Sequence, residues 1–600
     1  MAGTSMHVRA RGGALLFALL VSACGGGTVV GGGGGGGGDV SVSVSATTTI
    51  LHAGQPTNIT ATVMGAGGNT AVTWTLTGPD CPNSCGTLTN FGADTVTFIA
   101  PQFISADTVA TVTATSVADP TKSASVVLSL QRSISVNCPT GNESLLNGQY
   151  AFLLRGEGPG GAVVVAGSFT ADGLGGITAG SIDSNRASSV PVLSRTITNA
   201  SIYSVGPDRR GCIGLVDSAG STLVLRIALS SVNSGTASRG RIIEFDDAFG
   251  TGTRGEGFLA LQDPSSFATN QVAGNYVFGF VGADSNTDRF EEVGVINAAS
   301  GVLTNGNLDL NDNGVVTANV TGVTGTCSVA ASGRGTLTLS SGVNNGFVIY
   351  MVTTAEFLAM SSDQLDPTHP IQSGEAFLQT LASFDATSLN AAVVVSTTGF
   401  DANLGGPMAS VGLLTPDGAG SCQLVIDIND AGLYLPTQTT SGTYTPATNG
   451  RTPTAALNPP PPVLYLIGTN RGLWFGTDPA VTFGQLEQQI GAPFNNTSLT
   501  GTYDYGTEGA APGSRVTATG ADAFDGVMNN QAIEDESSPS GLFQNLLLPN
   551  QTYSFLPSSV PAGRGFLDGI HNRIAYIVTT SKLIAIDANT TTPRLILYQQ

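Results

Sequence analysis

Apolar and polar positions alternate along most of the chain. Val40, Val42 and Val44 are separated by serines, while Val72, Trp74 and Leu76 are separated by threonines, and Val96 and Phe98 follow the same rule. A period of two built on β-branched residues marks strands that bury one face. About seven such runs fall within residues 39–131, spaced as in a β-sandwich, with Trp74 expected in the core.

Beyond residue 145 the alternation is organised into longer units. Four landmarks recur in order. The first is an opening strand with Gly-x-Tyr, at Gly148-Gln149-Tyr150, Gly274-Asn275-Tyr276 and Gly501-Thr502-Tyr503, degenerate near Leu389. The second is a hairpin starting at Ala166, Val293, Val411 and, in a looser copy, Ala518. The third is an Arg beside glycine: Arg210-Gly211, Arg334-Gly335, Gly450-Arg451 and Arg564-Gly565. The fourth is a closing pair of strands ending in Gln, as in "GEAFLQ" and "LILYQQ". These landmarks divide the chain into units at 145–265, 268–382, 385–490 and 495–600.

Each unit holds about eight apolar runs, and Asp172-Gly173, Asp417-Gly418 and Asp525-Gly526 mark hairpin turns between them. "AEFLAMSSD" could pass for a helix, but its repeat partners "RGLWFGTD" and "SKLIAIDAN" cannot, which makes it a strand. The fold class is therefore all-β: a sandwich followed by four antiparallel meanders. A meander of eight strands exposes two edges unless it closes, so small closed barrels are expected, with open sandwiches as the alternative. Aromatics make up 6% of residues and the strands are interrupted by Gly, Asp and Asn, unlike the lipid-facing bands of membrane barrels.

Composition narrows the function classes. The formal charge is −20; without residues 1–23, which hold Arg9 and Arg11, 20 basic face 42 acidic side chains, a net of −22. That surface repels nucleic acid and anionic lipid headgroups. Lys122 and Lys582 are the two lysines and neither follows a glycine-rich loop, which excludes a P-loop nucleotide site.

The N-terminus gives an address. Arg9 and Arg11 precede the apolar run Ala14 to Leu20, and Val21-Ser22-Ala23-Cys24 follows. A basic segment, a short apolar segment and small residues before a cut form a signal peptide, here 1–23. The run is too short to span a bilayer. With Cys at the first mature position, the segment resembles the lipobox of bacterial lipoproteins. That resemblance implies acylation of Cys24, anchoring through the N-terminal lipid and, with Gly25 rather than Asp next, outer-membrane sorting. Residues 24–38 are the lipidated Cys and a Gly-rich tether; its 14 residues after Cys24 have a reach of about 20 Å.

Three stretches of residues 39–131, "NTAVTWTLTG", "DTVTFIAP" and "ATVTATSVADPTKSASVVLSL", resemble the bacterial Ig-like domains of surface proteins. Such domains commonly act as spacers, which would leave recognition to the repeats.

Candidate chemistry is sparse. Six cysteines besides Cys24 allow fifteen connectivities; Cys81 and Cys85, bracketing Pro-Asn-Ser, are the most credible pair, Cys138 is within reach of Cys212, and Cys327 and Cys422 are left over. Zinc needs tighter spacing than this. The recurring Arg reads either as four anion sites or as a structural tie to carbonyls or to an Asp such as Asp363, Asp478 or Asp587, and one occurrence per unit favours structure. Asp309 to Gly314 matches half of a calcium loop, but Val320 stands where the bidentate Glu belongs; Asp183-Ser184-Asn185 and Asp427-Ile428-Asn429 keep the Asp-x-Asn element, which also simply makes turns. Glu291-Glu292 and Glu534-Asp535 read as polar turns. His52, His369 and His571 lie in three different domains, and neither HExxH nor GxSxG occurs. Pro459 to Pro462 reads as a stiff loop.

The sequence thus points to a non-enzymatic, lipid-anchored envelope protein for binding, adhesion or display, with no cofactor or metal. Its partners would be a surface glycan, a protein or a small apolar ligand, not nucleic acid. The alternative is carriage of small apolar molecules inside the barrels.

Overall fold

The structure is a computed structural model describing residues 39–600 except 52–55, 80, 82–84, 102–103, 105–107, 131–137, 248–251, 345, 458–459, 510–514 and 569–571. Cys24, the tether, His52 and His571 lie outside the described residues. The described chain is all-β, with five short 3-10 turns and no α-helix.

Two four-stranded sheets open the fold. Ser41–Ala46, Pro56–Met64, Thr95–Ile99 and Thr87–Thr89 form one; Ile50–Leu51, Ser123–Leu130, Thr108–Ser116 and Val72–Thr77 form the other. Along Pro56–Met64 every second residue is buried, so Ile59 meets Val96 and Phe98 of its own sheet and Ala110, Val112 and Leu128 of the facing one. Trp74 packs on this core partly buried. Cys81 and Cys85 are joined with Cα atoms 4.9 Å apart, and Cys138 is joined to Cys212.

The rest is four meanders. Three close into eight-stranded barrels, where the last strand returns to pair with the first: Ala376 opposite Phe278, Leu486 opposite Val395 and Tyr598 opposite Tyr505. Contrary to the expectation of four closed barrels, the first unit is a nine-stranded sheet whose ladder stays open between Ser189–Thr196 and Ile202–Val205, a barrel with one gap. The long fourth strand of the other barrels (Val315–Val329, Leu433–Tyr444, Gly541–Phe555) is here broken into Ser189–Thr196 and Ile202–Val205. The break has a use: Ala200 inside it, with Val216, packs into the core of the two-sheet domain. The "AEFLAMSSD" segment is strand Glu356–Ser361.

Side chains fill the barrel interiors. Tyr150, Phe152 and Phe169 pack together in the first, and Phe278, Phe280 and Phe347 in the second. Trp474 is buried in the third, and Tyr505, Phe524, Tyr553 and Tyr598 occupy the fourth.

The recurring landmarks are joints between barrels. Arg334 of the second barrel grips Asp183 of the first through Nε and Nη2, both at 2.8 Å, and Arg451 grips Asp309 and Arg564 grips Asp427 at the same distances. A tyrosine opposite each Arg in its ladder donates its hydroxyl to the same carboxylate: Tyr350, Tyr465 and Tyr576. A backbone N–H completes each set, from Ser194, Asn319 and Thr437, all with positive φ. These aspartates are fully buried, so every added donor offsets the cost of desolvating the charge. Although burial pushes the Asp427 carboxyl up, the hydrogen bonds from Arg564 and Tyr576 hold it below the ordinary value.

The partners of the Arg are thus not Asp363, Asp478 or Asp587 but the Asp of the Asp-x-Asn element one barrel earlier. The Asn acts across the same joint: Asn185 donates to the carbonyls of Ser361 and Asp363, Asn311 to Gly476 and Asp478, and Asn429 to Asp587 and Thr590. The terminal glutamines reach forward too, Gln379 to the carbonyls of Asn449 and Leu466, Gln489 to Ala562 and Ile577. Apolar clusters back each joint, such as Val277, Val293 and Val295 against Tyr465, Ile467 and Phe475.

The fourth barrel meets the first, and the four form a ring. At this seam Arg210 reaches Asp535 at 3.4 Å and Asn545 at 2.8 Å, while Ala228 stands where the other joints have tyrosine and Ser537 where they have asparagine. Charged and polar contacts join the seam: Arg241 to Glu508 at 2.6 Å, Glu256 accepting from Thr507 Oγ1 and the Gly509 N–H at 2.7 Å each, and Arg209 near Asp504 at 3.7 Å.

Candidate functional site

Ring closure creates a cavity that no single barrel contains. Its wall is built mainly from the first, penultimate and last strands of each barrel, with part of the second, around a partly open volume of about 380 Å³. All four barrels contribute to the wall: Arg155, Arg239, Arg241 and Glu256 from the first, Arg289, Glu356 and Glu375 from the second, Thr398, Arg471 and Glu487 from the third, and Glu508, Arg515 and Lys582 from the fourth.

A cation crosses every joint in this wall. Arg239 Nη1 lies 2.7 Å from Glu356 of the second barrel, and Arg289 donates to the carbonyls of Val481 (2.8 Å) and Thr398 (3.0 Å) in the third. Lys582 lies 2.7 Å from both oxygens of Glu487, and Arg241 crosses the seam to Glu508. Arg515 donates to the carbonyls of Arg155 and Gly509 at 2.7 Å each. The Arg471 guanidinium sits over the Phe377 ring, 5.1 Å from its centre, a cation–π contact between third and second barrels. Phe258, Phe377, Phe400 and Leu473 supply apolar wall.

Burial shapes the titration. Burial, with Glu356 alongside, pushes Glu375 up to about 7 against the pull of Arg239 and Arg155. Burial likewise raises Glu256, which Arg515 and Thr507 pull back down, and lowers Arg289 to about 10. A partly open cavity with guanidinium forks and one carboxyl titrating near neutrality can orient a charged ligand and exchange one proton with it.

The sequence-marked residues sit elsewhere. Arg210, Arg334, Arg451 and Arg564 hold the joints, and Cys81 and Cys85 lie in the two-sheet domain. Glu291-Glu292 and Glu534-Asp535 are buried in strands Arg289–Ala299 and Asn529–Ser538, not in turns; side chains of neighbouring elements shield them from water. Among the described residues, no group of three or more His, Cys, Asp or Glu is placed to hold a metal ion. The cavity residues escape repeat analysis because the repeats differ there. The strand position of Arg155 is Val281, Thr398 and Glu508 in the other units, opposite Glu256, Ser373, Phe483 and Leu595. The available signal was charge within an apolar opening strand, as in "FLLRGEG".

No family model and no curated protein matches the chain. Among solved structures, a tryptophan-to-alanine variant of the vaccine antigen transferrin binding protein B from Haemophilus parasuis shares 10% identity, with 75% of this chain and 94% of that chain covered. The TM-score is 0.16, a likeness too slight to bear on fold or function.

Proposed function

We propose that the chain is a lipid-anchored protein of the bacterial cell envelope whose barrel ring is a binding body rather than a catalyst. The observation that supports this reading most is the axial cavity, built by all four barrels and lined by ordered charged groups. Cys24 would carry the lipid, residues 24–38 the tether, and an Ig-like domain at 39–131 the spacing from the membrane. Filled barrel interiors favour this reading over carriage of apolar molecules within each barrel.

The test is mass spectrometry and membrane fractionation of native protein beside a Cys24→Ala variant. A diacylglyceryl group on Cys24, with release from membranes only by detergent, supports the anchor. Soluble, unlipidated protein in both samples overturns it.

A further inference from the structure

We propose that the axial cavity binds a small organic anion bearing two or more carboxylate or phosphate groups, anchored by Arg155 and Arg471; this rests on reading the ring as a binding body. The chain carries a formal charge of −20, yet seven of its 22 basic side chains line this one cavity. Most of the wall's acids already have partners. Glu356 is taken by Arg239, Glu487 by Lys582 and Glu508 by Arg241, while Glu256 is held by Thr507, the Gly509 N–H and the field of Arg515.

Arg155 and Arg471 make no ion pair within 4.0 Å among the described residues. Arg289 spends its hydrogen bonds on neutral carbonyls and a hydroxyl and keeps its charge. Facing these three cations is Glu375, which burial keeps partly protonated near neutrality. The cavity is therefore positive within an acidic molecule. Planar guanidinium forks suit carboxylate and phosphate oxygens. The apolar wall at Phe258, Phe377 and Leu473 suits a carbon skeleton, and about 380 Å³ falls within the ordinary range of small-molecule sites.

A bound anion adds negative charge beside Glu375, which already faces Glu356, Glu508, Arg239 and Arg155. Binding therefore draws a proton onto Glu375 and tightens as pH falls through neutrality.

The probe is citrate, titrated by calorimetry into the full folded chain at about pH 6 and about pH 8. The expected result is one site per chain, tighter at the lower pH, with an enthalpy that depends on the buffer's own protonation heat. Arg155→Gln and Arg471→Gln each weaken binding about tenfold, the scale of one lost charge-assisted hydrogen bond. Arg195→Gln, at an outer ion pair with Asp217, leaves it unchanged. Inorganic phosphate that competes with citrate and obeys the same variants extends support to phosphate-bearing ligands. Absence of citrate binding at millimolar concentration, or binding that both arginine variants retain, overturns the inference. Spermidine binding lost in Glu375→Gln also overturns it, while leaving the ring a binding body; the anchor is judged separately by the Cys24→Ala fractionation.

Discussion

Arg451 and Asp309 stand 142 residues apart in sequence and belong to different barrels, yet two guanidinium nitrogens lie 2.8 Å from the carboxylate oxygens. Tyr465 adds a hydroxyl at 2.6 Å and Asn319 a backbone N–H at 2.6 Å. Asp309 is fully buried, so its charge is tolerated only because the neighbouring barrel supplies donors. Arg451→Leu is expected to cost about 3–5 kcal/mol, because it strands a buried carboxylate. Arg451→Lys recovers little, since an ammonium lacks the fork. Urea unfolding midpoints of the three proteins check this.

The seam behaves differently. Arg210 makes one contact to Asp535 at 3.4 Å in place of two at 2.8 Å, and no tyrosine assists. Arg210→Leu is expected to cost about 1–2 kcal/mol less than Arg451→Leu. The same urea series measures the difference, and equal losses would show the four joints to be energetically alike.

Glu292 gives a pH dependence. Its carboxyl is 1% exposed inside the second barrel beside Gln372, and burial pushes it up to about 8 while Gln372 offsets this in part. The folded state therefore holds this proton more tightly than the unfolded chain. Its contribution is fully present below about pH 4.5, the unfolded value, and is lost as pH rises through about 8. Glu292→Gln removes that loss: its melting temperature should exceed that of the wild type near pH 9 and match it near pH 4. Calorimetric scans at both pH values decide.

Glycine sits in the first-to-last strand pairing of three units. A Cβ on Gly374 would lie 1.8 Å from the Gly279 carbonyl oxygen, on Gly484 1.8 Å from that of Ser396, and on Gly257 1.9 Å from that of Leu153. Gly374→Ala must therefore spread the pairing of the first and last strands, at a cost of about 1–3 kcal/mol. Hydrogen exchange at Gly274–Ala283 should accelerate in this variant, and unchanged protection there would refute the steric account.

The strands and the repeat were readable because both depend on local patterns, such as Val-x-Val alternation and the recurrence of Gly-x-Tyr. The joints were not, although both halves were visible. Arg-Gly and Asp-x-Asn each look like local turn chemistry, and their meeting requires knowing which barrel faces which. One signal lies in the sequence: the Asn is missing at Ser537 and the Tyr at Ala228, on the two sides of one interface. Paired exceptions of this kind reveal that the last unit meets the first. The cavity was least readable, since its charges occupy positions the repeats do not share.

The broken strand of the first barrel has a mechanical meaning. Ala200 and Val216 seat the two-sheet domain directly on that barrel, and the Cys138–Cys212 disulfide ties the connecting chain to it, so a pull on the N-terminal side enters the ring there. From that point the load divides and travels both ways round to the opposite barrel. A linear row of barrels under the same pull can be stripped one joint at a time from its free end. In the ring, two joints must yield before any barrel comes away, and one of the two routes runs through the polar seam.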